Sequence, residues 1–258
     1  MLTECWWVNE VMNPKTLERV MTAFHFLSAY HKYEVVGIER VPRQGAAVII
    51  INHSLATYDS FLLAGAIYQH TGRICRSLGD KKIFENPLLS KFATSLGMVE
   101  GSQSTGLKLL KDGHLLIVSP GGMRESLRPK KNKYQILWHD RLGFARLACS
   151  ANAPIILAAC PAADDVYSVY ENPLTRFVYE RFKFPLPIAR GLGLSILPKP
   201  VPLKHYVRQP IDPPQKMNGN FTRFHSKVVE EMEKLMAFGE HPISRPKNKR
   251  LLCPDKLP

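Results

Sequence analysis

The most constraining feature of this sequence is segment 46–60, AAVIIINHSLATYDS. Residues 46–51 are small or β-branched and apolar without interruption, a pattern that favours a strand buried on both faces of a parallel sheet. The strand ends at Asn52-His53, a short polar turn follows, and apolar residues at helical spacing begin at Tyr58. A strand, a turn and a helix in this order predict an α/β sheet that places ligands at the carboxyl ends of its strands.

His53 and Asp59 are the candidate general base and the carboxylate that orients it. His53 ends the predicted strand, and Asp59 lies in the first turn of the following helix, where the helix dipole favours a negative charge. Across a strand-to-helix turn the two side chains can meet, and a histidine oriented by a carboxylate can act as a general base. The alternative is that His53 only ends the strand and Asp59 only caps the helix, because short motifs match by chance.

The rest of the chain alternates strands with helix-length segments, which predicts a mostly parallel central sheet flanked by helices. The predicted strands are 33–37, 46–51, 73–78, 97–101, 114–118, 154–160, 191–197 and an edge strand at 205–208. The predicted helices are 15–30, 58–70, 83–96 with Pro87 in its first turn, 104–112, 141–151, 174–182 and 221–236. Residues 1–32 are expected to form a helical or interfacial segment, 33–238 the main domain and 239–258 a basic tail.

A second group of polar and glycine residues follows the predicted strand 114–118. Because the carboxyl ends of parallel strands share one edge, this group should face the same cleft as His53. Adjacent glycines permit close approach of a ligand. An arginine there could contact a phosphate or ester oxygen, and a glutamate could fix that arginine or bond a hydroxyl. The predicted substrate-binding residues are Asn52, Ser119, Pro120, Gly121, Gly122, Arg124 and Glu125.

Charge predicts an anionic partner. The formal net charge is +13, and basic residues gather at 128–133 and 245–250. Such an excess suits nucleic acid, an anionic lipid surface or a phosphorylated substrate, although each cluster alone could be a solvated face. Aromatic residues are not interleaved with the basic runs, and no nucleic-acid-binding signature is present, so a nucleic-acid partner is not expected.

The apolar runs and the cysteines indicate how the chain meets a membrane and which redox compartment it occupies. No apolar run approaches the ~18–20 residues that span a bilayer, so membrane attachment is expected to be peripheral. Trp6 and Trp7, the helical stripe at 15–30 and the basic clusters could supply it, although the stripe could equally pack on the core. The five cysteines are odd in number and lack CxxC spacing, which argues against a zinc site and a disulfide framework and favours a reducing compartment.

The motifs together resemble the glycerolipid acyltransferase superfamily. The resemblance is carried by Asn52-His53 with Asp59, and by GHLLIVSPGGMRES, ILWHDRLGFARLA and APII at residues 113–126, 136–148 and 153–156. Within the superfamily the chain is most similar to the branch containing transmembrane protein 68, and more distantly to type-two diacylglycerol acyltransferases and plant phytyl ester synthases. The resemblance implies a glycerol-3-phosphate acyltransferase-like α/β fold.

Two departures from the superfamily pattern favour a neutral acceptor. Five residues separate His53 from Asp59, where most members that acylate phosphorylated acceptors have four. Those members also carry a Pro-Glu-Gly-Thr-Arg-like motif; here Gly121 stands for its Glu and Met123 for its Thr, while Arg124 keeps its place.

The resemblance implies transfer of an acyl group from acyl-CoA or acyl carrier protein to a lipid alcohol. His53 would take the hydroxyl proton, Asp59 would orient the imidazole, and amides near Gly121 and Gly122 would stabilise the oxyanion. No metal or organic cofactor is implied beyond acyl-CoA as co-substrate. Mono- or diacylglycerol is the favoured acceptor, lysophosphatidate is the alternative, and the expected location is the cytoplasmic side of an anionic membrane surface.

Three other functions fit the sequence less well. A serine hydrolase would need a Gly-x-Ser-x-Gly elbow, which is absent, and Ser119 precedes a proline. A basic nucleic-acid-binding module would explain the charge alone. A non-catalytic lipid-binding protein would keep the fold without the base, and the presence of both His53 and Asp59 argues against it.

Overall fold

The computed structural model describes residues 13–55, 58–128, 132–170, 188–193, 195–214 and 221–239. The strands in these ranges are β1 Glu34–Val36, β2 Ala47–Ile51, β3 Arg76–Gly79, β4 Met98–Glu100, β5 Leu115–Val118, β6 Ile155–Ala159, β7 Ser168–Tyr170, β8 Ile188–Arg190 and β9 Lys204–Val207. The helices there are α1 Pro14–Tyr30, α2 Tyr58–Thr71, α3 Lys81–Glu85, α4 Pro87–Ser95, α5 Gln103–Lys111, α6 Gly122–Ser126, α7 Gly143–Ala151 and α8 Phe221–Gly239.

Seven strands form one sheet in the order β1-β9-β6-β2-β5-β3-β4, and β7 pairs with β8 in a separate hairpin-like pair. β2 is central and runs parallel to both β5 and β6. The predicted mostly parallel sheet flanked by helices is therefore confirmed. Because the three central strands are parallel, the segments that follow them meet at one edge.

The predicted edge strand at 205–208 is wrong in its position. β9 lies inside the sheet, parallel to β1 and antiparallel to β6. Its alternate residues His205 and Val207 are buried, as expected of a strand with neighbours on both sides. The sequence does not show this because a short strand near the end of a chain lacks the long apolar run of a central strand.

The two faces of the sheet are covered by different helices. Alternation along β2 sends Val48 and Ile50 into the core cluster shared with α5, α7 and α8. Ala47, Ile49 and Ile51 point the other way, into the cluster that contains the apolar face of α2. All five side chains are fully buried, which explains the uninterrupted apolar run from which the strand was predicted.

Helix α1 packs on the domain's core through α2. Phe24 is 3% exposed, and a Cβ atom at Gly65 of α2 would overlap its ring, so the two helices approach closely because Gly65 lacks a side chain. The packing alternative for the apolar stripe at 15–30 is borne out for Phe24, with Met21 and Leu27 partly buried beside it, whereas Phe26 of the same stripe is 71% exposed. Trp6 and Trp7 lie outside the described residues, as do the predicted helix 174–182 and residues 240–258 of the basic tail.

Two predicted elements differ from the structure. The single helix expected at 83–96 is broken at Asn86, whose backbone is extended before Pro87 and whose side chain accepts hydrogen bonds from the first amides of α4. A residue before proline disfavours the helical conformation, which accounts for the break. The strand expected at 191–197 is wrong for its described residues, 191–193 and 195–197, which form a loop with backbone hydrogen bonds between them, and the neighbouring strand β8 ends at Arg190.

Among the described residues, no helix is both long and apolar enough to cross a membrane.

Candidate active site

The ends of β2, β5 and β6 bring the predicted motifs to one edge of the sheet. Asn52, directly after β2, is fully buried and hydrogen-bonds to the residue that follows β6. Its amide donates to the Cys160 carbonyl at 3.2 Å, and its carbonyl oxygen accepts from the Cys160 amide at 2.9 Å. Both ends of the Asn52 side chain are therefore engaged in joining β2 to β6, which positions the neighbouring His53.

The ring of His53 is held by a main-chain carbonyl. Nδ1 of His53 lies 2.9 Å from the carbonyl oxygen of Ser54. A carbonyl oxygen can only accept, so Nδ1 carries the proton of the neutral ring and Nε2 is left unprotonated. Nε2 is the nitrogen that can take a proton from a bound hydroxyl.

The pKa of His53 is lowered from its ordinary value. Burial is the largest cause, opposed by the Ser54 hydrogen bond and by the negative charge of Asp59, while the positive charges of Arg128 and Arg141 lower it further. A lowered pKa keeps the imidazole neutral near pH 7, which is the state a general base requires.

Asp59 reaches His53 through Ser54. Asp59 is fully buried, and its Oδ1 atom accepts a hydrogen bond from the Ser54 hydroxyl. Its Oδ2 atom makes no hydrogen bond with the imidazole of His53. The structure thus brings the two predicted residues close but places Ser54, which the sequence did not single out, between them.

The second oxygen of Asp59 faces a further histidine. Oδ2 of Asp59 lies 3.5 Å from Nε2 of His205 on β9, and both side chains are fully buried. Nδ1 of His205 lies 2.8 Å from the Tyr33 hydroxyl. Neither Oδ2 of Asp59 nor Nε2 of His205 has a hydrogen-bond partner among the described residues, so the two atoms face each other without a hydrogen bond. We call Tyr33, Asp59, Cys160 and His205 the buried polar cluster.

Part of the buried polar cluster has the donor types of a metal site. One ligand atom from each of Asp59, Cys160 and His205 lies within 4.8 Å of the other two. Carboxylate, thiolate and imidazole donors suit zinc, although burial raises the pKa of the Cys160 thiol well above its ordinary value, which disfavours the thiolate that a metal needs. The sequence did not predict this grouping because the three residues are far apart along the chain.

The predicted polar and glycine residues Ser119–Gly122, which we call the glycine loop, follow β5 and are contacted by Arg141. The guanidinium of Arg141 donates to the Pro120 carbonyl at 2.9 Å and lies where a Cβ atom of Gly122 would be. Gly122 has a φ of +52° and its amide donates to the Ser119 carbonyl at 3.1 Å. The Gly122 amide is therefore engaged within the turn. Arg141 is an exposed cation beside this loop. It lies within the segment 136–148, but the sequence alone did not indicate it as a site residue.

Glu125 lies beneath the glycine loop and is fully buried. It accepts a hydrogen bond from Nε1 of Trp138 at 3.0 Å and forms an ion pair with Arg128 at 3.1 Å. A Cβ atom at Gly121 would overlap the Glu125 carboxylate, so the glycine makes room for it. Burial raises the pKa of Glu125 to about 7, and the Arg128 charge opposes that rise.

Arg128 is occupied inside the protein. Its guanidinium makes two hydrogen bonds to Asp164, at 2.9 and 2.6 Å, besides the ion pair with Glu125, and the residue is 5% exposed. Lys133 pairs with Asp165 at 2.7 Å. The expectation that cluster 128–133 faces an anionic surface is therefore wrong for Arg128, because buried carboxylates neutralise it. Glu125 pairs with Arg128 rather than with Arg124, which is exposed.

The chain is similar to known proteins over most of its length. Residues 32–160 match the Acyltransferase family. The chain is 34% identical over 186 residues to "DGAT1/2-independent enzyme synthesizing storage lipids" of Bos taurus, which covers 71% of this chain and 53% of the relative. The Homo sapiens protein of the same name is 34% identical over 186 residues, covering 71% and 55%. The chain thus spans about half the length of these relatives.

A solved structure shares the fold. The 1-acyl-sn-glycerophosphate acyltransferase PlsC from Thermotoga maritima superposes with a TM-score of 0.56 at 15% identity, over 84% of this chain and 78% of that one. The matched family segment contains His53, Asp59 and the glycine loop, and it ends at Cys160. From the match over residues 32–160, the chain belongs to the Acyltransferase family.

Proposed function

We propose that this protein transfers a fatty acyl group from a thioester, acyl-CoA or acyl carrier protein, to a hydroxyl of a lipid acceptor. The observation that carries the proposal is the His53 ring, whose Nδ1 is held by the Ser54 carbonyl so that Nε2 is available as the base. His53 lies at the carboxyl end of the central strand, the edge at which open α/β sheets bind ligands.

The chemical step requires one proton transfer to the enzyme and one from it. His53 Nε2 takes the proton of the acceptor hydroxyl as the oxygen attacks the thioester carbonyl. The tetrahedral intermediate then collapses, the carbon–sulfur bond breaks, and the imidazolium returns the proton to the leaving thiolate. The products are an oxygen ester and a free thiol, so no metal, oxidant or further co-reactant is needed.

Asp59 and His205 act on this base from a distance. The Asp59 charge favours the imidazolium that forms during attack, and the Ser54 hydroxyl fixes the carboxylate on the side of His53. Nε2 of His205 on β9 lies 3.5 Å from the other oxygen of that carboxylate, close enough to bear on its position without a hydrogen bond. We therefore assign Asp59, Ser54 and His205 as positioning residues and keep the catalytic role for His53.

Arg141 is the candidate for stabilising negative charge beside the glycine loop. Its guanidinium already lies against Pro120 and Gly122, so a thioester carbonyl or a donor phosphate at this loop would meet a positive charge. The Gly121 amide is the second candidate donor, because the Gly122 amide is engaged with Ser119.

A neutral acceptor, mono- or diacylglycerol, is favoured over lysophosphatidate. The guanidinium of Arg128 is paired with Asp164 and Glu125, so it is not available to bind an acceptor phosphate. The named relatives, at 34% identity, are described as synthesising storage lipids. The lipid acceptor implies work at a membrane surface, and the cytoplasmic side expected from the sequence stays part of the proposal.

Product analysis tests the proposal. Purified protein receives labelled acyl-CoA or acyl carrier protein with monoacylglycerol, diacylglycerol, lysophosphatidate or a long-chain alcohol, and the products are separated and identified by mass. We expect an oxygen ester of a neutral acceptor and a loss of at least ~10²–10⁴-fold in the folded variant His53→Gln. His114→Gln is the matched control, because His114 is half-buried at the amino end of β5, away from the site.

The outcomes separate the alternatives. Near-wild-type turnover by folded His53→Gln protein would remove the general base. Acylation of lysophosphatidate alone would reverse the choice of acceptor. Binding of lipid without any product, from either donor, would assign a non-catalytic lipid-binding function.

A further inference from the structure

Helix α4 exposes its large apolar side chains and buries a small one. Its small residue Ala93 is 4% exposed and faces the domain, while Leu88, Leu89 and Phe92 are 80%, 51% and 65% exposed. A surface helix ordinarily buries its large apolar residues and exposes its polar ones. Leu88 and Phe92 are four residues apart and Leu89 lies beside them, so the three side chains form one continuous apolar face on the solvent side.

Basic side chains flank this apolar face. Lys91 on α4 is exposed and is three residues from Leu88 on the helix. Lys81 and Lys82 on the preceding helix α3 are also exposed. An apolar stripe bordered by lysines has the composition of a helix that lies in a membrane interface, where the lysines remain with the headgroups.

The location of α4 connects it to the candidate active site. β3 and β4 are adjacent parallel strands, so the chain that joins them must return from the carboxyl edge of the sheet to the amino edge. α3 begins two residues after β3 ends, and α4 makes the return. The first turn of α4, which carries Leu88 and Leu89, is therefore nearer to the carboxyl edge at which His53 lies.

We propose that α4 is a membrane-docking helix that inserts Leu88, Leu89 and Phe92 into the interface of an anionic bilayer. The proposal deepens the proposed function, because docking near the carboxyl edge would present the candidate site to lipid acceptors. A second copy of the chain is a poorer occupant. Three side chains offer only a few hundred Å², whereas each partner of a standard protein interface buries ~800 Å².

Vesicle binding by the 258-residue chain tests the proposal without any substrate. Wild type and Phe92→Ser are sedimented with phosphatidylcholine vesicles and with mixed phosphatidylcholine–phosphatidylglycerol vesicles. We expect Phe92→Ser to weaken partition by at least about tenfold, from the lost burial of one aromatic side chain. Lys91→Gln should lose about fivefold on the mixed vesicles and nothing on phosphatidylcholine alone.

Phe26→Ser is the matched control. Phe26 lies on α1 and is 71% exposed, so it offers the same side chain at similar exposure on a different helix. We expect it to bind vesicles as wild type does. Equal losses in Phe26→Ser and Phe92→Ser would overturn the assignment to α4, as would wild-type binding by Phe92→Ser. Light scattering that shows a wild-type dimer dissociated by Phe92→Ser, without a change in vesicle binding, would assign the face to a second copy instead.

Turnover in detergent micelles separates this proposal from the proposed function. Phe92→Ser should acylate a micelle-dispersed acceptor at the wild-type rate and lose activity only when the acceptor is in vesicles. If neither wild type nor any variant forms product while vesicle binding still depends on Phe92, the proposed acyl transfer is refuted and the proposed docking role of α4 is retained. Loss of micellar turnover in folded Phe92→Ser would overturn a purely docking role.

Discussion

The variant Glu125→Gln provides a quantitative test of how the glycine loop is supported. Glu125 is fully buried between Trp138 and Arg128, and burial raises the pKa of its carboxyl from the ordinary 4.5 to about 7. In the folded protein it holds a proton between these two pH values, whereas in the unfolded chain it does not. The free energy of unfolding therefore falls as pH rises through this window, by about 3 kcal/mol for a shift of this size.

Glutamine removes this pH dependence and keeps an acceptor for Trp138. We therefore expect the free energy of unfolding of wild type, relative to Glu125→Gln, to fall by about 3 kcal/mol between pH 4.5 and pH 8. Urea titrations followed by circular dichroism at several pH values give this difference, and contributions common to both proteins cancel in it.

Two results would refute the reasoning. A difference that is constant with pH would show that the Glu125 carboxyl titrates alike in the folded and unfolded states. A difference that grows in favour of wild type as pH rises would show that the ion pair with Arg128 outweighs burial and lowers the pKa of Glu125. In either case the carboxylate beneath the glycine loop would not be the costly group that its burial indicates.

Three further outcomes are expected. The pH profile of kcat/KM should show activity lost on the acid side below pH 6.5, where His53 becomes protonated. The midpoint of this loss should move to lower pH in Asp59→Asn, because a charge that raises the pKa of His53 is lost, and to higher pH in Arg141→Gln. Shifts in the opposite directions would contradict the assignment of His53 as the base. Thermal unfolding should show that Gly122→Ala lowers the free energy of unfolding by roughly 1–2 kcal/mol, because alanine disfavours the positive φ at this position. Gly121→Ala should lower it more, by about 2–3 kcal/mol, because its Cβ atom would overlap the buried Glu125 carboxylate. Equal losses would contradict this packing. Chelator treatment should leave turnover unchanged, and one zinc per chain measured by mass spectrometry would instead assign the buried polar cluster to a metal.

The sequence predicts well what depends on local pattern. The buried strand at 47–51 follows from a run of apolar residues, and the positions of His53 and the glycine loop at strand ends follow from the parallel order of such strands. The break at Asn86 was missed although its signal, a residue before proline with a capping side chain, was present in the sequence.

The sequence could not predict contacts between distant segments. His205 is one of nine histidines spread along the sequence, and only the insertion of β9 between β1 and β6 brings it to Asp59. Arg128 was counted among surface charges because its partner Asp164 is 36 residues away. Burial of a charge depends on which segments meet, and a short charged run in a sequence carries no record of that.

The location of β9 has a consequence for the order in which the protein can assemble during synthesis. Glu34 of β1 pairs with Lys204 of β9, so β1 emerges from the ribosome 170 residues before its neighbour in the sheet exists. At ~5–20 residues per second this interval is about 10–30 s, during which β1 lacks β9 as its partner. β6 is made later and pairs with β9 through Ala159 and Tyr206, so its side facing β9 is open for only about 2–9 s. His205 arrives on the same strand and completes the surroundings of Asp59. A nascent chain that ends before β9 therefore contains His53 and the glycine loop but lacks the strand that brings His205 to Asp59, and chaperone binding to the open edge of β6 is expected until β9 is made.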